Sequence, residues 1–424
     1  MRRRELILGA GLAWSIPAIP AIAAAQSTVE LWTFIDPAAD SVRSRALKTI
    51  IDTFEEQNPG VHIHTSIIAW NELGPAILRA ARAGKTPDVA LLGSLYLPQQ
   101  IAAKAVDPLD PYLAKMDPRD RQDLVILPEC IRDGKTFGIP YELRAWGIVY
   151  RTDLLKKLNL DVPDSLDALI DVTRKIEADQ GADFAALGIG FNPSTDRAIK
   201  MFAPAALNLG AKLLNPDGSA AFNSPEMLKV MGFLYDAVNK YKVLPLDVAL
   251  MTSDQVVTLT EMGRVGFEFE GTHWLNEIRA HGVPGTEFSW MPMPSFTKGT
   301  WQRASVEAWT LTIPTHAKNP GDAWKFISHW ISPEMQLMQV KTAGYLPMRA
   351  SLANDPSFNT PEMGHIKRAV EYAKANPLVF NWPDTAPAIQ DTLARAITAV
   401  LSNKMSPEDA LKDAEKNYNR VIGK

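Results

Sequence analysis

The sequence predicts an α/β protein built from two units, and three observations predict it. Strand-like alternation and helical spacing take turns from Val29 to Leu92. The same kind of pattern restarts near Gly138. The chain has 424 residues, more than one hydrophobic core ordinarily serves.

The elements follow in order. Val29 to Phe34 alternates like a strand. Val42, Ala46, Leu47, Ile50, Ile51 and Phe54 recur at helical spacing, and Asn58-Pro59-Gly60 stops that helix. Val61, Ile63, Thr65 and Ile67 restore the period of two. A helix over 71–83 leads to the apolar run Val89-Ala90-Leu91-Leu92, the pattern of a buried parallel strand. Strands alternating with helices imply a parallel sheet. Ligands of such sheets bind beyond the carboxyl ends of the strands. Phe34, Trp70, Asn71 and Ser94 occupy those ends and are the first site candidates.

The second unit begins at Gly138-Ile139-Pro140-Tyr141. A strand is predicted over 145–150 and a helix from 154 to 160. Another helix over 165–178 is capped by Asp164 or Ser165. Helical segments run on to about Gly263, followed by a strand over 265–269 and a helix over 272–281. A long strand over 305–313 reads as a crossing between the units. Asn319-Pro320 opens a helix to Ile331, and the last third is helical from about 361 to 422.

The N-terminus reads as an export signal. Arg2, Arg3 and Arg4 precede an apolar run that ends in Ala23-Ala24-Ala25. Gly and Pro interrupt that run, which disfavours a membrane span. Arg3-Arg4-Glu5-Leu6-Ile7 resembles a twin-arginine signal, with the general secretory route as the alternative. The expected signal is 1–25. Cys130 is the single cysteine, so no intramolecular disulfide can form, and no cysteine at the cleavage site offers a lipid anchor. A diffusing exported protein is expected in a periplasm. Without Arg2, Arg3, Arg4 and Glu5 the chain carries 41 basic and 47 acidic side chains, a net charge of −6. That balance argues against a nucleic acid as partner, since a phosphate backbone needs a basic face.

Several segments in one order carry a resemblance. They are Leu31-Trp32-Thr33 with the helix ending Phe54 to Val61, then Thr86-Pro87-Asp88-Val89, and Gly138 to Tyr141 leading into Gly147 to Arg151. Glu261 to Gly266, Ala323 to Ile327 and Gly344 to Arg349 follow. With them the chain resembles the solute-binding proteins of ABC importers, in the carbohydrate-binding family that includes maltose-binding protein. The resemblance implies an α/β periplasmic-binding-protein fold of two discontinuous lobes with a ligand cleft between them. It implies lobe 1 at 26–140 plus 305–344 and lobe 2 at 141–304 plus 345–424. Crossings near Tyr141, Ala304 and Tyr345 would form the hinge. It also implies a monomeric, non-enzymatic carrier without cofactor, whose partners are a carbohydrate and membrane permease subunits.

A sugar presents hydroxyls at its rim and C–H groups on its faces, so a site needs planar polar groups and aromatic rings. Ten tryptophans remain after the signal. Trp324 and Trp330 lie at core spacing on a helix. Trp32, Trp70, Trp146, Trp274, Trp301, Trp309 and Trp382 lie near strand ends, loops or crossings, where each could serve the ligand or simply pack. Tyr141, Glu142, Arg144 and Trp146 sit at the first crossing; Glu142 and Arg144 could instead form an interlobe ion pair. Glu270, Gly271 and Trp274 follow a strand, with backbone N–H groups available at a helix start. Glu307 and Trp309 lie on the crossing strand, and Arg349 follows the third crossing. The resemblance implies a ligand role for Arg349 and an aromatic stacking role for Trp382. Arg144 and Arg349 together open a second reading, an anionic sugar derivative or glycerol-phosphate-like ligand.

A hydrolase is the competing class. Neither G-x-S-x-G nor H-E-x-x-H occurs in the sequence. Glu268 and Glu270 share a strand face as a glycosidase pair would, yet carboxylates are abundant here. His62 and His64 alternate on one strand without a third ligand, the pattern of an exposed face rather than a metal site.

Overall fold

In a computed structural model the chain is described over residues 27–424, apart from Ala182, Leu246 and Val379. The export signal expected over 1–25 lies outside these residues.

The opening pattern folds as its periods require. Strands β1 (Ser27–Thr33), β2 (Val61–Ile67) and β3 (Val89–Gly93) form a parallel sheet with β1 in the middle. Val29, Leu31 and Thr33 are buried, whereas Glu30 and Trp32 between them are not fully so. The helix Val42–Gln57 starts at Ser41, whose hydroxyl accepts the Ser44 N–H, and buries Ala46, Leu47, Ile50 and Phe54. The helix Leu73–Ala83 ends at Gly84, whose φ of 64° suits glycine at a helix C-terminus. His62 and His64 lie on the exposed strand face, paired with Glu55 at 2.9 Å and Glu30 at 2.6 Å.

The remaining strands of this sheet are β4 (Ile139–Arg151), β5 (Ala185–Gly188), β6 (Val265–Gly271), β7 (Phe288–Pro292) and β8 (Val306–Thr312). They extend the order to β2-β1-β3-β8-β4-β6-β5, with β7 also paired to β4. All 13 residues of β4 are buried. Its first half pairs antiparallel with β8, from Leu311↔Ile139 to Val306↔Ala145. Its second half pairs with β6 and β7. Gly147 makes the β7 pairing possible, because a Cβ there would lie 2.4 Å from the Met291 carbonyl oxygen. One strand thus belongs to both halves of the molecule. The third crossing runs beside it: Leu143 and Leu346 exchange N–H···O bonds of 3.3 and 3.0 Å.

Two main cores flank these crossings. One gathers β1, β3 and β8 with the helices Val42–Gln57, Pro320–Trp330 and Pro333–Ala343. The other gathers the helices Leu166–Gln180, Pro225–Asn239, Ala386–Leu401 and Pro407–Val421 around β5 and β6. Segment 345–370 packs into the first of them, together with Phe288 and Trp290. No helix among the described residues is long and apolar enough to cross a membrane.

Three expectations change. The strand expected over 145–150 starts at Ile139, so the crossing is itself a strand. Strands β5 and β7 were not anticipated from the sequence. The helix expected at 272 starts at Trp274, because the Thr272 N–H is bonded to the Ala145 carbonyl at 3.1 Å.

Candidate functional site

A chamber of about 420 Å³ lies between the two halves, over the crossing strands. Its floor is Arg144 and Trp146 of β4 and Trp309 of β8. One wall comes from the ends of β1 and β2: Phe34, Ile67, Trp70 and Asn71, with Arg43 from the first turn of the Val42–Gln57 helix. The facing wall is built from Ser194 to Arg197, Lys200, Thr252 to Asp254, Glu270 and His273, while Trp274 lines the chamber beside Arg43 and packs with the first core. Side chains alternate along β4, so Arg144 and Trp146 face the chamber while Leu143 faces away.

The charged groups form a continuous chain. Arg144 pairs with Glu142 behind it, and its Nη1 lies 3.9 Å from Glu307 Oε1. Glu307 Oε1 lies 3.1 Å from Lys200 Nζ, which is 3.0 Å from Asp196 Oδ2. The Tyr96 hydroxyl, just past β3, donates to Asp196 Oδ1 at 2.7 Å. Arg197 Nη2 separately donates to Glu270 Oε2 at 2.6 Å. Lys200 rides on a π-helical turn, Ala198–Phe202, a wider turn that often marks functional segments. Its ammonium sits 4.9 Å from the Trp146 ring centroid and 5.7 Å from that of Trp70.

Burial and charge set the protonation states. Burial opposes the Lys200 charge, but Glu307 and Asp196 hold its pKa above the ordinary value. Arg144 is likewise held up against burial by Glu142 and Glu307. Burial raises Glu142, with Arg144 and Arg43 pulling back. Burial, then Arg144, Arg43, Lys200 and Arg197, push His273 well below the usual imidazole range, so its ring is neutral. Arg144 Nε, Trp146 Nε1 and Arg197 Nε are buried donors without a hydrogen-bond acceptor among the described residues. Such groups are costly unless something accepts from them.

The structure brings together Phe34, Trp70, Asn71, Arg144, Trp146, Glu270, Trp274 and Trp309 of the sequence-derived candidates. The others lie elsewhere. The Ser94 hydroxyl accepts from the Ala308 N–H at 3.2 Å and donates to Glu129 at 3.0 Å, behind β3. Tyr141 packs against Trp330 and Tyr345, and Glu142 and Glu307 are buried partners of Arg144 rather than wall groups. Gly271 leaves room for the His273 ring, which a Cβ would meet at 2.6 Å. Its N–H is bonded to Glu270 Oε1 at 3.0 Å, so this helix start does not offer the expected free donors.

Arg349 faces away from the chamber. Its Nε donates to the Ile331 carbonyl at 2.7 Å, and Nη1 reaches Asp120 at 2.6 Å and Asp123 at 3.2 Å. Trp382 stacks edge-on against Phe380 at 4.9 Å and, with Arg349, lines a second cavity behind the crossings. Trp32 and Trp301 are outside the chamber wall as well. Trp330 is buried as expected, and Trp324 is half-buried and stacked on Tyr112.

Sequence reasoning missed Arg43, Ile67, the Ser194 to Lys200 group and Thr252 to Asp254. One signal was present: Asp196, Arg197 and Lys200 interrupt an apolar run, and two of them stand four residues apart. Glu268, the other half of the supposed carboxylate pair, is buried under Thr260, whose hydroxyl donates to it at 2.5 Å. Burial and Glu270 raise its pKa well above the carboxylate range. It does not line the chamber.

Known proteins share this architecture. A family model described as bacterial extracellular solute-binding protein matches residues 49–365. A Brucella abortus protein named as a binding protein is 22% identical over 373 residues, 88% of each chain. A Deinococcus radiodurans protein named as an ABC transporter-binding protein is 21% identical over 301 residues, covering 69% of this chain and 70% of that one. Among solved structures, maltose-bound MalE3 of T. maritima superposes with a TM-score of 0.80 at 19% identity, over 93% of this chain and all of that one. A solute-binding protein of an ABC transporter from Thermotoga lettingae, bound with α-D-tagatose, also scores 0.80, at 22% identity over 94% of this chain and 100% of that one. Those likenesses establish the two-lobed fold with its cleft.

Proposed function

The chain belongs to the bacterial extracellular solute-binding proteins, and on that premise we propose that it captures a mono- or oligosaccharide by hinge closure and delivers it to the permease of an ABC importer. The observation that carries this reading is the chamber itself. Four tryptophans and several unaccepted buried donors surround about 420 Å³, within the range of roughly 300–1,000 Å³ for small-molecule sites. Indole rings suit the C–H faces of a sugar, and Arg144, Arg197 and Trp146 supply donors for its hydroxyls. The maltose and tagatose held by two proteins of similar fold favour the same substrate class.

The proposed lobes are 26–140 with 305–344 and 141–304 with 345–424, with segment 345–370 packed against the core of the first, and the protein is proposed to act as a periplasmic monomer. No catalytic step is assigned. Of the two carboxylates that share one face of β6, Glu268 is buried away from the chamber and Glu270 is bound to Arg197.

The second reading, an anionic sugar derivative, loses the pair of arginines that suggested it, because Arg349 is bound to Asp120 and Asp123. It is favoured by Arg43, a wall cation with no carboxylate partner among the described residues. Its guanidinium instead lies over the Trp274 and Phe34 rings, at 4.6 and 5.9 Å.

A calorimetric screen of neutral sugars, acidic sugars, sugar sulfonates and sugar phosphates tests both readings. One-to-one binding of a neutral sugar without turnover is expected. Preference for an acidic analogue, lost in Arg43→Gln, selects the second reading. Product formation from the bound sugar would overturn both.

A further inference from the structure

A smaller cavity of about 160 Å³ adjoins the front chamber. Trp70, Asn71, Asp196 and Trp309 line both spaces, so the two meet at the tryptophan rings. The first half of the molecule also contributes Gly74, at the start of the Leu73–Ala83 helix, and Gly93, Tyr96 and Gln99, at and past the end of β3. The second half contributes Asp196, and Pro387 in the first turn of the Ala386–Leu401 helix. This side chamber therefore lies between the two halves, as the front chamber does.

Its chemistry is different. Arg43, Arg144, Arg197 and Lys200 line the front chamber, whereas no Lys, Arg or His lines the side chamber among the described residues. Its one charged group, Asp196, is already satisfied by Lys200 at 3.0 Å and by the Tyr96 hydroxyl at 2.7 Å. Two amides remain. Asn71 is exposed and Gln99 half-buried, and neither side chain has a hydrogen-bond partner among the described residues. An amide both donates and accepts, as sugar hydroxyls do. With two indole rings beside them, these groups suit an uncharged sugar ring and offer an ionised group no counter-charge. Two wall positions are glycines that packing does not demand. A Cβ on Gly93 would lie 3.5 Å from the Tyr96 ring, and one on Gly74 would lie 3.5 Å from Gln100 Nε2, both ordinary contacts. Glycine there leaves open a space that other side chains would fill.

We propose that the ligand is at least a disaccharide, with one ring in the front chamber and a second, uncharged ring in the side chamber. The proposal rests on the carrier reading and narrows its ligand from any saccharide to one of two or more units. Trp70 and Trp309 stand at the linkage between the rings. Any acidic group on the ligand belongs to the ring in the front chamber, where the cations are.

Calorimetry on matched pairs compares one ring with two: glucose and maltose, xylose and xylobiose, mannose and mannobiose. In the pair that binds, the disaccharide should be held at least about tenfold more tightly than its monosaccharide. Gly93→Leu should bring that ratio close to one, because the backbone at φ −64° accepts a side chain and the side chain fills the space. Gln99→Ala removes an amide that makes no internal hydrogen bond, so it tests the same wall with little risk to folding; the ratio should fall severalfold. A monosaccharide bound as tightly as its disaccharide overturns the proposal, and so does a ratio unchanged in both variants. Either result leaves the carrier reading standing. Binding of no sugar in any pair overturns both.

Discussion

Tyr96 and Asp196, one hundred positions apart, are joined by a 2.7 Å hydrogen bond that links the two halves of the molecule beside the cleft. The tyrosine follows β3 and the aspartate precedes the π-helical turn. Burial and Asp196 raise the Tyr96 pKa well above that of a free phenol, so the hydroxyl keeps its proton and donates.

Tyr96→Phe removes that donor while keeping the ring. A hydrogen bond to a charged group contributes about 1.5–3 kcal/mol, so ligand affinity should fall by roughly tenfold or more. Calorimetry on the variant measures it. An unaltered Kd would show that the bond is absent from the liganded form.

Arg144 and Arg43 should behave differently. Arg144→Ala leaves Glu142 and Glu307 buried without their guanidinium and should cost about 3–5 kcal/mol of stability. Arg43→Ala breaks no ion pair, so its unfolding midpoint should stay close to wild type while ligand binding weakens. Urea titration of both variants decides; similar midpoints would contradict the buried chain of charges.

His365 gives a pH dependence. Burial, with Arg279 adding to it, lowers its pKa to about 3, against about 6.5 in an unfolded chain. Between those values the unfolded chain binds a proton that the folded one does not. Stability is therefore fully present above pH 6.5 and falls as the pH drops toward 3, by about 1.4 kcal/mol per unit from this residue. His365→Gln should flatten the fall between pH 6.5 and 4.5 in urea titrations, and an equal slope would remove His365 as its source.

Gly147→Ala should be among the most damaging single substitutions in the chain. The added methyl would press on the Met291 carbonyl and the Trp290 ring, and backbone cannot give way as a flexible side chain can. Loss of the β7 pairing should appear as a large drop in the thermal midpoint. A midpoint within a few degrees of wild type would mean that β7 is not held against β4.

The first unit was legible because its periods are uninterrupted: the alternation of Val29, Leu31 and Thr33 sets which side of β1 is buried. Strand β7 was not, because Pro292 and Pro294 punctuate a run with no alternation, and it pairs on one side only. Half of the cleft was visible as residues past strand ends, which need only local reading. The Ser194 to Lys200 wall was hidden, since its place depends on a tertiary approach to β4 and on a π-helical turn that no spacing rule announces. Arg349 misled for a related reason. Its charge was readable, whereas Asp120 and Asp123, which absorb it, are more than two hundred residues away in the chain.

The order of strands also sets when the chain can finish folding. β8, made from residues 306–312, sits between β3 and β4, which are both synthesised long before it. The amino-terminal three strands therefore have an unfilled neighbour until three quarters of the polypeptide exists. Contacts this distant delay closure of the sheet and lengthen the life of the loose chain. For an exported protein, as proposed for this chain, late completion is a property of strand order alone.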